Sequence, residues 1–337
     1  MKEFIAKISH GIDLTSSEAE RAMELIMDGS ATHAQIGALL MGLKLKGETP
    51  QEITGFARAM RRSAVNFKVS MEVVDTCGTG GDYGGTFNIS TAAAFVAAGA
   101  GVPVAKHGNR SVSSRCGSAD VLERLGVKID LEPEQAEKCL HSVGIAFLFA
   151  PKYHRATKNA MGPRKELGIK TIFNILGPLT NPAGAEAQLL GVFDPDLTQP
   201  IAEVLAALGT KRAFVVCGSD GLDEVTVAGT TRITELNAGF IQTYEFDPRE
   251  LGFEIRNIEE IKGGDPEKNA EILLGVLEGE KGAPREAVVL NAAFAILAGN
   301  KAFSLKEAVE KAEHSLDSGA ALRKLKELIK FSESCAA

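Results

Sequence analysis

DTCGTGGDYGGTFNIST, Asp75–Thr91, is the stretch that decides the fold. It sets five glycines between Gly78 and Gly85, directly after an apolar run and directly before a run of small residues. Glycine loses more freedom on folding than any other residue and adds no side-chain contact, so this concentration needs a reason. MEVVDT upstream reads as a buried strand, and ISTAAAFVAAGA downstream as a small-residue helix. A glycine-rich loop between strand and helix exposes backbone N–H groups to an anion, phosphate above all. A tight βα turn would use the glycines equally well. The pattern is not G-x-x-x-x-G-K-[ST], and it lacks the G-x-G-x-x-G spacing, so a dinucleotide fold is weakly supported. Asn88, Ser90 and Thr91 stand where the helix begins. An ordinary N-cap needs one of them; three amide and hydroxyl groups together favour a bound anion.

Outward from this loop, strands and helices alternate. VPVAKH is the next strand; Gly117–Leu125 is helical, VKI extended, Glu132–Val143 helical and GIAFLFA a strand. AQLLGVF, RAFVVCG, TRITEL and FIQTYEF follow as strands, and the C-terminal region is largely helical. This order predicts a mostly parallel sheet flanked by helices. The stretch Ala156–Leu179 breaks the alternation, and it is expected to return to an N-terminal helical unit. That unit opens with Thr15-Ser-Ser-Glu18, Thr32-His-Ala-Gln35 and Thr49-Pro-Gln-Glu52, three capping-box patterns ahead of amphipathic runs. Three such short helices can hardly close a core alone.

The 337 residues give a prior of about two domains. Hydrophobic content of 45% and charged content of 24% are those of a globular chain, and without Trp its core rests on aliphatic residues. A net charge of -7 argues against a nucleic-acid partner. A local basic pocket for a small anion remains compatible with it. Five scattered cysteines without a C-x-x-C pair read as free thiols of a reducing compartment. MKEFIAKISHGIDL lacks the apolar core of a secretory leader, and no stretch reaches the roughly 18 apolar residues of a membrane span. The expected location is the cytoplasm, with no membrane partner.

Three further groups could carry chemistry. KHGNRSVSS, Lys106–Ser114, follows VPVA at the C-terminal end of a strand, the edge where open α/β sheets bind ligands. Lys106 and Asn109 rank ahead of His107 there, since a lone His in a polar loop is more often structural. Asp223-Glu224 could chelate Mg2+ if phosphates supplied the remaining oxygens; an exposed acidic turn is the commoner fate of such a pair. Arg164 could grip a carboxylate bidentately or, with Lys158, Lys165 and Lys170, be a surface charge. Cys77 has no evident base nearby and reads as a small side chain.

Taken together, these residues resemble the anthranilate phosphoribosyltransferase family. The resemblance rests on DTCGTGGD (Asp75–Asp82), TFNIST (Thr86–Thr91), KHGNRSVSS, GSADVLERLG (Gly117–Gly126), RKELGIKTIFNILGPLTNP (Arg164–Pro182) and GLDEVT (Gly221–Thr226). These run in family order and cover most of the chain. Arg155, where Pro is commoner, and Arg115-Cys116 are small departures. The resemblance implies a small α-helical domain, residues 1–68 with 156–180, that mediates dimerisation. It implies a larger α/β domain, residues 69–155 with 181–337, whose mostly parallel sheet is of the nucleoside phosphorylase/phosphoribosyltransferase type. The implied reaction joins phosphoribosyl pyrophosphate to the amine of anthranilate and releases pyrophosphate, in tryptophan biosynthesis.

Carried over by motif, Gly78, Thr79, Gly80, Gly81, Asp82 and Thr86 would line the phosphoribosyl pyrophosphate, with Asn88, Ser90, Thr91 and Lys106 on its phosphates and Ser118 close by. Ser90, Asp223 and Glu224 would hold Mg2+. Gly78, His107, Asn109, His154 and Arg164 would border anthranilate, Arg164 facing its carboxylate. An aromatic amine is neutral at pH 7, so the expected catalysis is electrostatics and positioning, with no covalent nucleophile. Two rival readings are a pyrimidine nucleoside phosphorylase-like enzyme, which leaves the acidic pair without an obvious purpose, and a nucleic-acid-binding relative of the fold.

Overall fold

The computed structural model describes residues 1–67, 69–81, 84–111 and 115–336. Four helices open the chain: α1 (Lys2–Ser9), α2 (Ser16–Met27), α3 (His33–Lys46) and α4 (Pro50–Ser63). Each of the last three starts at its expected capping box, where Thr15, Thr32 and Thr49 accept from the N–H three residues on and Glu18, Gln35 and Glu52 reach back. No side chain caps α1, which is why the sequence did not announce it. It is placed by packing instead. Phe4 and Ile8 are buried, and a Cβ at Gly42 of α3 would stand 2.6 Å from the Ile8 side chain. Gly55 brings α4 as close to α2, because a Cβ there would overlap the Ser16 carbonyl oxygen and stand 3.0 Å from the Glu20 nitrogen.

The α/β part follows: β1 (Val74–Gly78), α5 (Ile89–Gly99), β2 (Val104–Gly108), α6 (Ser118–Arg124), α7 (Pro133–Val143), β3 (Ile145–Phe149) and α8 (Ala150–Tyr153). Then come α9 (Lys158–Leu167), α10 (Ile172–Leu176), β4 (Ala187–Gly191), α11 (Thr198–Ala207), β5 (Arg212–Gly218), β6 (Thr231–Asn237) and β7 (Phe240–Phe246). The chain closes with α12 (Pro266–Leu277), α13 (Ala283–Ala298), α14 (Leu305–Asp317) and α15 (Ala320–Ala336). The seven strands lie in the order β3-β2-β1-β4-β5-β6-β7. β3 through β5 are parallel; β6 and β7 add an antiparallel edge. The VKI segment stays outside the sheet. Its Val127 and Ile129 are buried, while the Lys128 N–H donates to Ser332 Oγ of α15 at 2.9 Å, so α15 takes the donor a neighbouring strand would need.

Alternation along the strands builds two apolar layers. Val74, Leu189, Phe214 and Val216 face a core shared with α5, α7 and α12–α15. Cys77, Leu190, Ala213 and Val215 face a core shared with α1–α4, α10 and α11. The helices that could not close a core alone therefore close one against the sheet. α9 packs on α2 and α3: Asn159 Nδ2 donates to the carbonyls of Ile26 (3.2 Å) and Met27 (3.0 Å). α5 is buried along nearly its whole length between the sheet and the C-terminal helices, and its alanines permit that close approach.

From β1 the chain proceeds to β2 and β3 on one side and later to β4 and β5 on the other. At such a reversal the connections leaving the C-terminal ends of β1 and β4 run to opposite sides and open a crevice, the site where open α/β sheets bind ligands. The crevice stands on the packing of α2 and α4 only indirectly, so their contact can be tested alone. Gly55→Ala is expected to cost about 1–3 kcal/mol through overpacking, read as a lowered urea midpoint with an unchanged slope.

Candidate active site

β1 ends at Gly78, opposite Gly191 at the end of β4. The turn containing Leu222–Val225 sits on both strand ends. A Cβ at Gly78 would overlap Asp223 Oδ2, and one at Gly191 would overlap the Asp223 carbonyl oxygen. These glycines thus admit another part of the chain to the strand ends. Gly80 has φ +65 and open space where a Cβ would be, so its backbone conformation is what asks for glycine. The Thr79 N–H donates to the Gly191 carbonyl at 2.9 Å, and the Gly80 N–H to Asp223 Oδ2 at 2.7 Å.

The start of α5 is built differently from an ordinary cap. Asn88 occupies the N-cap position, but its side chain caps nothing. Its Nδ2 donates to the Cys116 carbonyl at 3.2 Å, and its Oδ1 accepts from Asn269 Nδ2 at 3.0 Å. The first turn is served instead by Glu224, whose Oε1 accepts from the Ser90 N–H at 3.2 Å. A carboxylate at a helix N-terminus also meets the positive end of the helix dipole. The hydroxyls of Thr79 and Thr91 are buried without a hydrogen-bond partner among the described residues.

Below this turn lies Lys106, 3% exposed. Its ammonium donates to the Thr76 carbonyl and lies 3.4 Å from both Thr76 Oγ1 and Ser90 Oγ. Burial pulls its pKa down, and Asp75 opposes that fall. Asp75 is itself fully buried, and burial raises its pKa against the pull of Lys106. Its oxygens accept from the His107 N–H at 3.1 Å and Asn181 Nδ2 at 2.8 Å.

On the other side of β2, the His107 and His154 rings stand 5.1 Å apart. Burial lowers their pKa values to about 3 and about 4, so both are neutral at pH 7. The Nε2 of each lacks a partner among the described residues. Arg164 of α9 is half-buried, its guanidinium 4.9 Å from the Phe173 ring centroid, and burial lowers its pKa. Asn109 is exposed, with Oδ1 accepting from the Arg110 N–H at 2.8 Å; its carbonyl accepts from Ser118 Oγ at 3.3 Å. Thr86 pairs with Lys262 in an isolated bridge. Asp82 lies outside the described residues.

Direct contacts thus join Gly80 to Asp223, Ser90 to Glu224 and Lys106, Asn109 to Ser118, and His107 to His154. The structure adds residues that the sequence reading passed over. Lys170, there a surface charge, donates to the Gly81 carbonyl and lies 4.0 Å from the Phe193 ring centroid. Lys262 Nζ donates to the Gly84 carbonyl at 2.7 Å, and the Gly263 N–H to the Gly85 carbonyl at 2.9 Å. Asn291 is fully buried; it accepts from the Val225 N–H at 2.9 Å and donates back to the Val225 carbonyl at 2.8 Å, fixing the acidic turn. An asparagine inside the apolar run VVLNAAFAILA was a legible signal. The partners of Lys170 and Lys262 carried no local sign.

Asp223 and Glu224 offer hard oxygen donors beside Ser90 and the glycine loop. Among the described residues no group of three or more His, Cys, Asp or Glu could hold a metal ion. A pair of carboxylates beside backbone N–H donors suits Mg2+, which takes one or two protein carboxylates and completes its shell with phosphate and water oxygens.

The family described as glycosyl transferase family, helical bundle domain, matches residues 2–64, and that described as glycosyl transferase family, a/b domain, matches residues 70–322. The chain is 57% identical to the anthranilate phosphoribosyltransferase of Moorella thermoacetica, over 100% of each chain. It is similar in structure to the anthranilate phosphoribosyltransferase from Thermus thermophilus, with TM-score 0.93 and 43% identity, covering 98% of this chain and 99% of that one. The anthranilate phosphoribosyltransferase from Saccharomyces cerevisiae in complex with PRPP and Mg gives TM-score 0.90 and 28% identity, covering 98% and 97%.

The two histidines set a pH dependence. Their folded pKa values lie below the ordinary 6.5, so the unfolded chain takes up protons that the folded chain refuses. Stability is full above about pH 6.5 and falls as pH drops toward 4, by up to about 1.4 kcal/mol per pH unit for each group. Urea titrations at pH 7 and pH 5 should show a smaller acid loss in His107→Gln/His154→Gln than in the parent. An equal loss in both would place the acid sensitivity elsewhere.

Proposed function

The chain belongs to the anthranilate phosphoribosyltransferase family, and we propose that the crevice between β1 and β4 is where it passes the phosphoribosyl group of phosphoribosyl pyrophosphate to the amine of anthranilate. Pyrophosphate is the other product, and the step belongs to tryptophan biosynthesis. One observation supports the assignment of place: at the point where strand order reverses, the Gly80 N–H donates to Asp223, the Ser90 N–H to Glu224, and the Lys106 ammonium lies 3.4 Å from Ser90 Oγ.

In this reading Gly78, Thr79, Gly80, Gly81, Asp82 and Thr86 border the pyrophosphate and ribose. Asn88, Ser90, Thr91, Lys106 and Ser118 hold phosphate oxygens. The buried hydroxyls of Thr79 and Thr91, without a partner among the described residues, can turn toward such oxygens. Ser90, Asp223 and Glu224 fit Mg2+, which when bound neutralises charge gathering on the leaving pyrophosphate. Gly78, His107, Asn109, His154 and Arg164 border anthranilate.

The chain's own groups can run the step without a covalent intermediate. Burial pushes the Cys77 thiol well above its ordinary pKa, so it is no thiolate at pH 7. The amine brings its own lone pair and needs alignment with the ribose carbon. Neutral His107 and His154 add no positive charge beside a ribose developing oxocarbenium character. Arg164 is half-buried on Phe173, a setting that strengthens a bidentate grip on the anthranilate carboxylate. The rival phosphorylase and nucleic-acid readings are not favoured by relatives that match over the full chain.

We further assign residues 1–68 with 156–180 to a helical domain that dimerises and the remainder to the α/β domain. Met41 and Leu45 of α3 support this, since Leu45 is 76% exposed on the helical side. Light scattering is expected to give twice the chain mass, and Leu45→Glu to move it toward one chain mass. No helix among the described residues is long and apolar enough to cross a membrane. The five cysteines are all free thiols, which supports a reducing cytoplasm.

The activity test follows loss of anthranilate fluorescence with phosphoribosyl pyrophosphate and Mg2+ both present, and with either omitted. Consumption confined to the complete mixture, with pyrophosphate released, supports the reading; a folded protein that consumes nothing overturns it. Arg164→Ala should raise the apparent KM for anthranilate at least about tenfold, the scale of a lost charge-assisted hydrogen bond, and leave that for phosphoribosyl pyrophosphate near the parent value. An unchanged anthranilate KM would remove Arg164 from the carboxylate.

A further inference from the structure

The crevice offers backbone N–H groups for a phosphate, yet in this structure two of them are engaged by the chain's own carboxylates. Asp223 Oδ2 accepts from the Gly80 N–H at 2.7 Å, and Glu224 Oε1 accepts from the Ser90 N–H at 3.2 Å. Both carboxylates also lie in the field of Lys106. The turn that bears them is held in place. Asn291 clamps Val225 from both its N–H and its carbonyl, and Gly78 and Gly191 leave room for Asp223 that no other residue would leave. The two carboxylates therefore stand on the same donors, with the same sign of charge, as a substrate phosphate would.

We infer that Asp223 and Glu224 are internal stand-ins for the substrate's phosphates, so that the crevice admits the pyrophosphate group only together with a divalent cation that draws the carboxylates off Gly80 and Ser90. This rests on the phosphoribosyl pyrophosphate reading of the crevice. A bare pyrophosphate faces two barriers here: its donors are occupied, and the occupants repel it. A cation removes both at once when the oxygen on each backbone N–H turns to the metal: the donor is then released, and the carboxylate's charge is neutralised. The acidic pair thus acts against anion binding when metal is absent and for it when metal is present. An acidic pair acting only as metal ligand would make no difference to metal-free anion binding beyond its charge.

The test is calorimetric titration with inorganic pyrophosphate, in EDTA and in Mg2+, of the full chain and of two variants, Glu224→Gln and Glu224→Ala. Both variants lose the charge, but the glutamine carbonyl can still accept from the Ser90 N–H and the alanine cannot. The expected order of affinity in EDTA is Ala tightest, Gln intermediate and parent weakest, with Ala about tenfold or more above parent, the scale of one charge-assisted hydrogen bond released. In Mg2+ the order should reverse, with the parent tightest. If neither variant binds more tightly than the parent in EDTA while the parent binds in Mg2+, the stand-in role falls and the substrate reading survives. If Gln and Ala gain equally, charge alone is responsible and occupancy of the donor is overturned. If the parent fails to bind pyrophosphate even with Mg2+, the substrate reading itself falls and takes the inference with it. Should a variant unfold, hydrogen exchange of the Ser90 and Gly80 amides in the parent decides the matter. Protection in EDTA that is lost on adding Mg2+ alone supports the stand-in role, and exchange unchanged by Mg2+ overturns it.

Discussion

The site depends on how closely one turn approaches the ends of two strands. The acidic turn at Leu222–Val225 reaches the crevice because Gly78 and Gly191, paired across β1 and β4, carry no Cβ. A Cβ at Gly191 would push the Asp223 backbone outward, and one at Gly78 would displace its carboxylate. Gly80 and Ser90 would then lose their carboxylate partners. The exposed Gly80 N–H would then turn to water, whereas the half-buried Ser90 N–H would lose its acceptor in the first turn of α5. The glycine content that opens the question of function is therefore also a packing requirement within the chain.

A second constraint lies one layer deeper. Lys106 and Asp75 are both buried in the sheet, each with its own hydrogen-bond partners, and the opposite charge of each eases the burial of the other. Asp75 directs its oxygens to the His107 N–H and to Asn181, a residue from the far end of the segment that returns from the N-terminal helices. One carboxylate thus ties the conformation of β2 to the position of that segment. The arrangement contributes little stability in itself, since taking two charges out of water costs most of what their attraction returns. What it does is fix a charged ammonium beneath the α5 N-terminus, where a flexible surface lysine would not stay.

Much of the fold was legible because its signals are local. Three capping boxes mark three helix starts, and seven apolar runs mark seven strands in order. α1 was illegible because it has no cap and owes its place to Gly42 and to the core it shares with α3. In the site, local reading put Asn88 at the helix start and left its role open between cap and ligand. The structure sends its amide to Cys116 and Asn269, contacts distant in sequence that no spacing rule could reveal. Lys170 looked like surface charge for the same reason: its partner, the Gly81 carbonyl, is separated from it by most of the α/β crossover. Residue types that bear chemistry can be read from a sequence. The residues that aim them can be read only when they break a local pattern, as Asn291 does within an apolar helix.

The pleat of β2 gives one strand end two unlike environments. Successive side chains of a strand point to opposite faces. Lys106 accordingly reaches Thr76 and Ser90 under α5, whereas His107 meets His154 and lies toward Gly177 on the side of α10. The charged residue thus falls on the face with the backbone donors and the acidic pair. The neutral ring falls on the face with Phe173 and Arg164. A phosphate-rich substrate needs the first environment, and an aromatic acid with an uncharged amine needs the second. Burial keeps His107 neutral, so the ring adds no positive charge to the second face, and it holds Lys106 beneath α5 on the first. Under the proposed assignment, two adjacent residues on one strand would therefore separate the substrates by charge.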